Sequence, residues 1–180
     1  LTTKFTENDQ VDVPAYLKNI DAQVDAGIHG CVIAGSLGEA STLTQDEKIL
    51  LLKETHSHIN GRIPIIMNIA EQSTADAVNA AQNAQDNGAD GLMMLPPMRY
   101  VSDGPETIAY YKAVATSCDL PIMTYNNPYD YKIEITISMF EELLKIKTIE
   151  ATKESTRDVT NVTRLRNAFG DDIKILCGVD

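Results

Sequence analysis

The sequence has 180 residues, 43% of them hydrophobic, which is enough to bury the core of one domain. Its net charge of -11 excludes a phosphate backbone or an anionic membrane surface as the expected partner, because both are bound by clustered Lys and Arg. We also expect no membrane association, since no apolar run approaches the ~20 residues that a transmembrane helix requires.

Short apolar runs recur along the chain, and each is followed by an amphipathic stretch with the spacing of βα units. Helix signals separate the runs. Asp12-Val13-Pro14 predicts the start of the first helix, and Thr44-Gln45-Asp46-Glu47 predicts a capping box for the second. Asn87-Gly88 and Phe169-Gly170 are typical of helix ends. The predicted strands are 1–5, 31–35, 64–70, 91–97, 121–127, 149–155 and 173–178.

This alternation, without a glycine-rich dinucleotide turn after the first strand, favours a parallel TIM (β/α)₈ barrel over an open doubly wound sheet. Such a barrel usually takes ~250 residues. We therefore expect 1–180 to form a single barrel domain truncated at both ends and covering about seven of the eight βα units.

Three segments place polar chemistry where predicted strands end, which is where barrel active sites are built. Gly35-Ser36-Leu37-Gly38-Glu39 brings small residues and a hydroxyl, Tyr125-Asn126-Asn127-Pro128 brings a phenol, and Lys153 brings an amine. An amine held on a strand among apolar neighbours can act as a nucleophile toward a carbonyl. Each segment also has an ordinary explanation: a glycine turn, a buried tyrosine and a lysine in a salt bridge.

Together and in this order, the three segments resemble the class I Schiff-base family of dihydrodipicolinate synthase and N-acetylneuraminate lyase. The resemblance implies that Lys153 forms the imine with a 2-keto acid, that Tyr125 shuttles protons and that Ser36 hydrogen-bonds this tyrosine. It also implies that the backbone at Ser36, Leu37 and Gly38 binds the substrate carboxylate, and that Gly178 lines the pocket. No metal and no cofactor beyond the covalent lysine imine is implied, and a homo-oligomer, either a tetramer or a dimer, is expected.

Several positions depart from the family's pattern. Leu37 replaces a second hydroxyl residue, and Asp130 stands where the synthases carry an arginine for the carboxylate of aspartate semialdehyde. The relay tyrosine that those synthases borrow from a neighbouring subunit falls on Met98, with Tyr100 as a substitute if the loop shifts. These departures favour deamination or dehydration of a hydroxylated substrate, as in 1-pyrroline-4-hydroxy-2-carboxylate deaminase.

The sequence leaves other functions open. Dihydrodipicolinate synthesis or a pyruvate-dependent aldol reaction is one alternative, and a catalytically silent keto-acid sensor is another. A phosphate-binding barrel enzyme would need a glycine-rich phosphate loop near the last strands, and Gly178-Val179-Asp180 does not resemble one.

The remaining candidate residues have structural explanations. His56 and His58 are two residues apart and so do not share a helix face, which argues against a metal site. Cysteines are odd in number and widely spaced, which predicts buried thiols and a cytoplasmic protein.

Overall fold

The computed structural model describes residues 1–97 and 99–178. Within them, six strands form one parallel sheet in which spatial order follows chain order. The strands lie inside the predicted runs, and the one at Gly91–Met94 is apolar and buried at every position, as expected for a central strand of a parallel sheet. They are β1 (Cys31–Ile33), β2 (Ile65–Ile69), β3 (Gly91–Met94), β4 (Ile122–Asn126), β5 (Ile149–Glu154) and β6 (Lys174–Cys177).

Helices connect successive strands, as a parallel sheet requires. They are α1 (Val13–Asp25), α2 (Gln45–Ile59), α3 (Thr74–Asp86), α4 (Gly104–Ala115), α5 (Pro128–Tyr131), α6 (Ile137–Leu143) and α7 (Val159–Phe169), with a 3₁₀ turn at Ser36–Gly38.

The local signals at two helix starts are confirmed. The Asp12 side chain accepts a hydrogen bond from the Ala15 amide at the start of α1. At α2 the Thr44 hydroxyl accepts from the Glu47 amide, while the Glu47 carboxylate accepts from the Thr44 amide. Each side chain satisfies a backbone donor that has no partner within the helix, so both ends are determined locally.

The main hydrophobic core lies between the sheet and the helices, and its largest fully buried side chains include Tyr16, Tyr111 and Phe140. A smaller apolar cluster of Met93, Leu95 and Tyr125 covers the opposite face of the sheet. Because side chains alternate across a strand, that opposite face corresponds to the inside of a barrel. The sheet is a parallel half-barrel, which confirms the predicted architecture for the part that this chain contains.

The predicted strand at 1–5 was wrong. The Leu1 amine lies 3.4 Å from the Val32 carbonyl at the edge of the sheet, but Phe5 forms only an isolated antiparallel bridge with Val11. A strand requires a ladder of such contacts, and this segment turns back on itself before one can form. The described residues therefore contain six strands of the barrel rather than the predicted seven.

Among the described residues, no helix is long and apolar enough to cross a membrane.

Candidate active site

A cavity of about 510 Å³ opens at the carboxyl ends of the strands, on the inner face of the half-barrel. Its walls come from the ends of β1, β3, β4, β5 and β6 and from the segments that follow β1 and β4. All seven predicted site residues line it: Ser36, Leu37, Gly38, Tyr125, Asp130, Lys153 and Gly178. The topology thus brings together residues that lie up to 142 positions apart in the sequence.

Lys153 and Tyr125 form the centre of the cavity. They are register partners on the adjacent strands β5 and β4, so both side chains point to the same face. The Lys153 Nζ atom lies 4.1 Å from the centroid of the Tyr125 ring, and that ring is itself buried. The amine is consequently covered by an aromatic face on one side and directed toward the cavity on the other.

The 3₁₀ turn at Ser36–Gly38 forms the wall opposite the amine. Its Gly38 amide donates to the Gly35 carbonyl at 2.8 Å, and the Thr3 hydroxyl donates to the Gly38 carbonyl at 2.7 Å. A side chain at Gly38 would lie 2.8 Å from the Leu1 carbonyl oxygen, so only glycine fits this approach. Leu37 is 86% exposed and stands at the rim of the cavity rather than against its floor.

The hydrogen-bond partner of Ser36 differs from the expected one. Ser36 Oγ lies 2.8 Å from the phenol oxygen of Tyr131, not against that of Tyr125. The reason is local, because the short helix α5 after β4 turns Tyr131 back over the cavity toward the 3₁₀ turn. Sequence reasoning assigned Tyr131 no role, although Tyr-Asn-Asn-Pro-Tyr-Asp-Tyr contains it and is the signal that would have found it.

Tyr131 also contacts Tyr125. The two rings meet edge to face, with centroids 5.4 Å apart and an interplanar angle of 76°. Burial raises the pKa of Tyr131, the hydrogen bond from Ser36 lowers it, and the charges of Tyr125 and Asp130 raise it further. The net shift is upward, so the Tyr131 phenol carries its proton at neutral pH.

Asn127 and Asp130 hold the segment that follows β4. The Asn127 side chain caps α5 by accepting from the Asp130 amide at 3.2 Å. Its amide nitrogen donates to Asp130 Oδ2 at 2.7 Å and to the phenol oxygen of Tyr125 at 3.3 Å. Asn127 therefore links the carboxylate at the cavity wall to the central tyrosine.

Gly178 closes the cavity next to β5. Its amide donates to the Glu154 carbonyl at 2.9 Å, and a Cβ atom here would overlap Ser155 Oγ and lie 3.1 Å from Lys153 Cγ. This close approach explains why a residue without a side chain occupies the position.

Other sequence candidates lie away from the cavity. Tyr100 is 79% exposed and lines a separate cavity, and Met98 lies outside the described residues. His56 contacts the Gly88 carbonyl, and His58 contacts Asp21. In residues 1–97 and 99–178, no group of three or more His, Cys, Asp or Glu is placed to hold a metal ion.

Comparisons with known proteins agree with this geometry. The model of the dihydrodipicolinate synthetase family matches residues 1–180. The 4-hydroxy-tetrahydrodipicolinate synthase of Exiguobacterium sibiricum is 33% identical over the whole chain, which spans 61% of that protein. The chain thus spans about three fifths of the curated relatives that it matches.

Solved structures give the same result. The 4-hydroxy-tetrahydrodipicolinate synthase of Methylacidiphilum fumariolicum SolV superposes with a TM-score of 0.95 at 28% identity, over 98% of this chain and 59% of that one. A prophage protein of the dihydrodipicolinic acid synthase family from E. coli K12, in complex with pyruvate, has a TM-score of 0.92 at 27% identity. That match covers 98% of this chain and 60% of the prophage protein.

Proposed function

The chain belongs to the dihydrodipicolinate synthetase family, and on that premise we propose that it is a lyase whose Lys153 forms an imine with a small 2-keto acid such as pyruvate. The observation that carries the proposal is the position of the Lys153 amine, 4.1 Å from the Tyr125 ring in a cavity at the carboxyl ends of the strands. The pyruvate complex of the related prophage protein supports the substrate class.

The chemistry follows from the amine. Lys153 attacks the keto carbon, a new C–N bond forms, and the carbonyl oxygen leaves as water. The resulting imine withdraws electrons from the adjacent carbon, so a proton or a carbon fragment can leave from it. The imine supplies this electron sink itself, and the proposed reaction needs no cofactor or metal.

Tyr125 is the proposed acid–base group. A proton must reach the departing oxygen and must later be exchanged at the adjacent carbon, and a phenol within about 2.6 to 3.2 Å of those atoms can carry it. The contact between the Lys153 amine and the Tyr125 ring supports this role, because two groups so close together can both reach one substrate carbon.

The proposed carboxylate site is the start of the 3₁₀ turn. The first N–H groups of a helical turn have no partner within it, and here they belong to Ser36 and Leu37. Gly38 and Gly178 keep the opposite walls free of side chains, so the carboxylate and the keto carbon can both fit. Fixing the substrate at both ends lowers the entropic part of the barrier.

Two alternative reactions could follow formation of this imine. The curated relatives are named 4-hydroxy-tetrahydrodipicolinate synthase, which favours condensation with an aldehyde over the expected deamination of a hydroxylated substrate. One observation keeps the hydroxylated substrate as the second candidate. The Asp130 carboxylate faces the cavity, where it can accept a hydrogen bond from a hydroxyl group and would repel a second carboxylate.

The first experiment tests the imine. With the protein expressed from its complete gene, pyruvate and borohydride should add a stable mass at Lys153, and Lys153→Ala should abolish it. Lys174→Ala is the matched control, because this lysine lies on the neighbouring strand β6 and bonds the Asp171 carbonyl instead. Labelling that persists in Lys153→Ala would refute the assignment.

The second experiment distinguishes the two alternative reactions, condensation with an aldehyde and deamination or dehydration of a hydroxylated substrate. We compare kcat/KM for pyruvate with aspartate semialdehyde against deamination of 1-pyrroline-4-hydroxy-2-carboxylate and dehydration of 2-keto-3-deoxy sugar acids. Asp130→Asn removes the charge but keeps an acceptor for Asn127. If Asp130 disfavours aspartate semialdehyde by repelling its carboxylate, this variant should narrow the difference in kcat/KM between the substrates. Pyruvate binding without turnover of any substrate would instead favour the keto-acid sensor.

The assembly is proposed from the same resemblance, and the compartment from the odd number and wide spacing of the cysteines. We propose a homo-oligomer, a tetramer or a dimer, in the cytoplasm. Sedimentation of the complete protein tests the first and fractionation of cells tests the second.

A further inference from the structure

We propose that Tyr131 is a positioning residue that connects the hydroxyl of Ser36 to the phenol of Tyr125 and so completes a proton relay within one chain. The inference rests on the proposed imine chemistry and adds a residue to it. The family resemblance implies a loop residue, Met98 or Tyr100, for this function.

The first argument is the hydrogen bond across the cavity wall. Ser36 Oγ and the Tyr131 phenol oxygen lie 2.8 Å apart, a normal O–H···O distance. The two residues are 95 positions apart in sequence, and both line the cavity that contains Lys153. This hydrogen bond joins the turn at Ser36, where the substrate carboxylate is proposed to bind, to the segment that carries the acid–base group Tyr125.

The second argument is the contact with Tyr125. The Tyr131 ring meets the Tyr125 ring edge to face at 5.4 Å, and burial together with the charge of Tyr125 raises the pKa of Tyr131. The Tyr131 phenol retains its proton at neutral pH, so it can donate to an oxygen that has just lost one.

The third argument is the position of the pair between two cavities. Ser36 and Tyr131 line both the active-site cavity and a neighbouring cavity of about 570 Å³ whose walls include Lys48 and Glu71. A proton that reaches this pair can therefore exchange with water on the far side, without crossing the space that the substrate fills.

The proton balance is simple. When the protonated imine forms, the departing keto oxygen takes one proton from the Lys153 amine and one from Tyr125. Tyr131 replaces the proton of Tyr125, Ser36 replaces that of Tyr131, and solvent supplies one proton to Ser36, which balances the positive charge of the imine. The path runs in reverse when a proton is taken from the substrate. No charge remains on either phenol after a complete cycle.

The test uses Tyr131→Phe in the protein expressed from its complete gene. The ring contact with Tyr125 is kept and only the hydroxyl is lost. We expect kcat to fall by about 10-fold to 100-fold, less than the roughly 10²- to 10⁴-fold loss typical of removing an acid–base group, with KM changed by less than about 2-fold. Borohydride trapping with pyruvate should be slower but should reach the same final extent.

Tyr129→Phe is the matched control, because Tyr129 lies on the same short helix, is 59% exposed and stacks on Arg157 outside the active-site cavity. It should retain the wild-type kcat and trapping rate. Ser36 provides a second route if Tyr131→Phe folds poorly. Ser36→Ala should reproduce the loss in trapping rate, Ser36→Thr should restore it, and the double variant with Tyr131→Phe should be no slower than either single variant.

The outcomes separate this inference from the proposed function. Absence of trapping in the wild-type protein would contradict the imine itself. Normal trapping in the wild type with an unchanged rate and kcat in Tyr131→Phe would overturn the relay alone. A loss that appears in KM instead of kcat would also overturn it, since it would make Tyr131 a substrate contact.

Discussion

Replacing Gly178 with alanine should reduce both stability and the rate of imine formation. The new Cβ atom would overlap Ser155 Oγ and would lie 2.9 Å from the Glu154 carbonyl oxygen and 3.1 Å from Lys153 Cγ. The buried Ser155 hydroxyl must leave its rotamer, at a cost in energy, and the Glu154 carbonyl cannot move, because it accepts the hydrogen bond of the same glycine at 2.9 Å. The end of β6 must therefore move away from β5.

Overpacking of this kind costs about 1 to 3 kcal/mol. We expect urea unfolding of Gly178→Ala to lose that much free energy at an unchanged m-value. Because the new Cβ atom would also press against Lys153 Cγ, the Lys153 amine should shift. The rate of borohydride trapping with pyruvate should therefore fall.

Ser155→Ala makes the prediction sharper. The Ser155 hydroxyl is buried and has no hydrogen-bond partner among the described residues, so its removal alone should change stability little. Combined with Gly178→Ala it removes the nearest of the three contacts, and we expect the double variant to recover about 0.5 to 1.5 kcal/mol relative to the sum of the singles. Additive effects, or a Gly178→Ala variant within about 0.5 kcal/mol of wild type, would refute the steric argument.

Three further predictions concern stability and reactivity. Thr44→Ala removes the capping box with Glu47 and should cost about 0.5 to 2 kcal/mol in urea unfolding, whereas Thr44→Ser should not. Lys48 and Glu71 form a 2.8 Å ion pair whose side chains are 7% and 13% exposed, so Glu71→Gln should cost about 3 to 5 kcal/mol. Combining Lys48→Met with Glu71→Leu should recover most of that loss, and an additive double variant would contradict the pairing. Burial raises the pKa of the Cys31 thiol to about 11, so at pH 8 it stays protonated and should react with a thiol reagent only at the rate of unfolding. Because Cys177 is exposed, the labelled residue is identified by peptide mapping, and fast labelling of Cys31 in native buffer would show that this part of the core is open.

Much of the scaffold could be predicted from the sequence because its signals are local. A short, mostly apolar run and a capping threonine act on their immediate neighbours, so β2 and α2 appear where the pattern places them. Leu1 to Phe5 shows the limit of such signals. Its apolar and β-branched residues are compatible with a strand. A strand at the sheet edge, however, depends on hydrogen bonds to a neighbouring strand, and these cannot be predicted from the residues of the segment alone.

The position of the proposed catalytic pair could also be predicted from the sequence, since Lys153 and Tyr125 each lie near the end of a strand and the parallel order makes those strands neighbours. Tyr131 could not. Its role depends on the direction in which a four-residue helix turns a phenol and on a serine 95 positions earlier that comes within 2.8 Å of it. The sequence by itself determined which residues end the strands. Only the tertiary structure decided which hydroxyl meets which, because a side chain's direction after a turn depends on the packing around it.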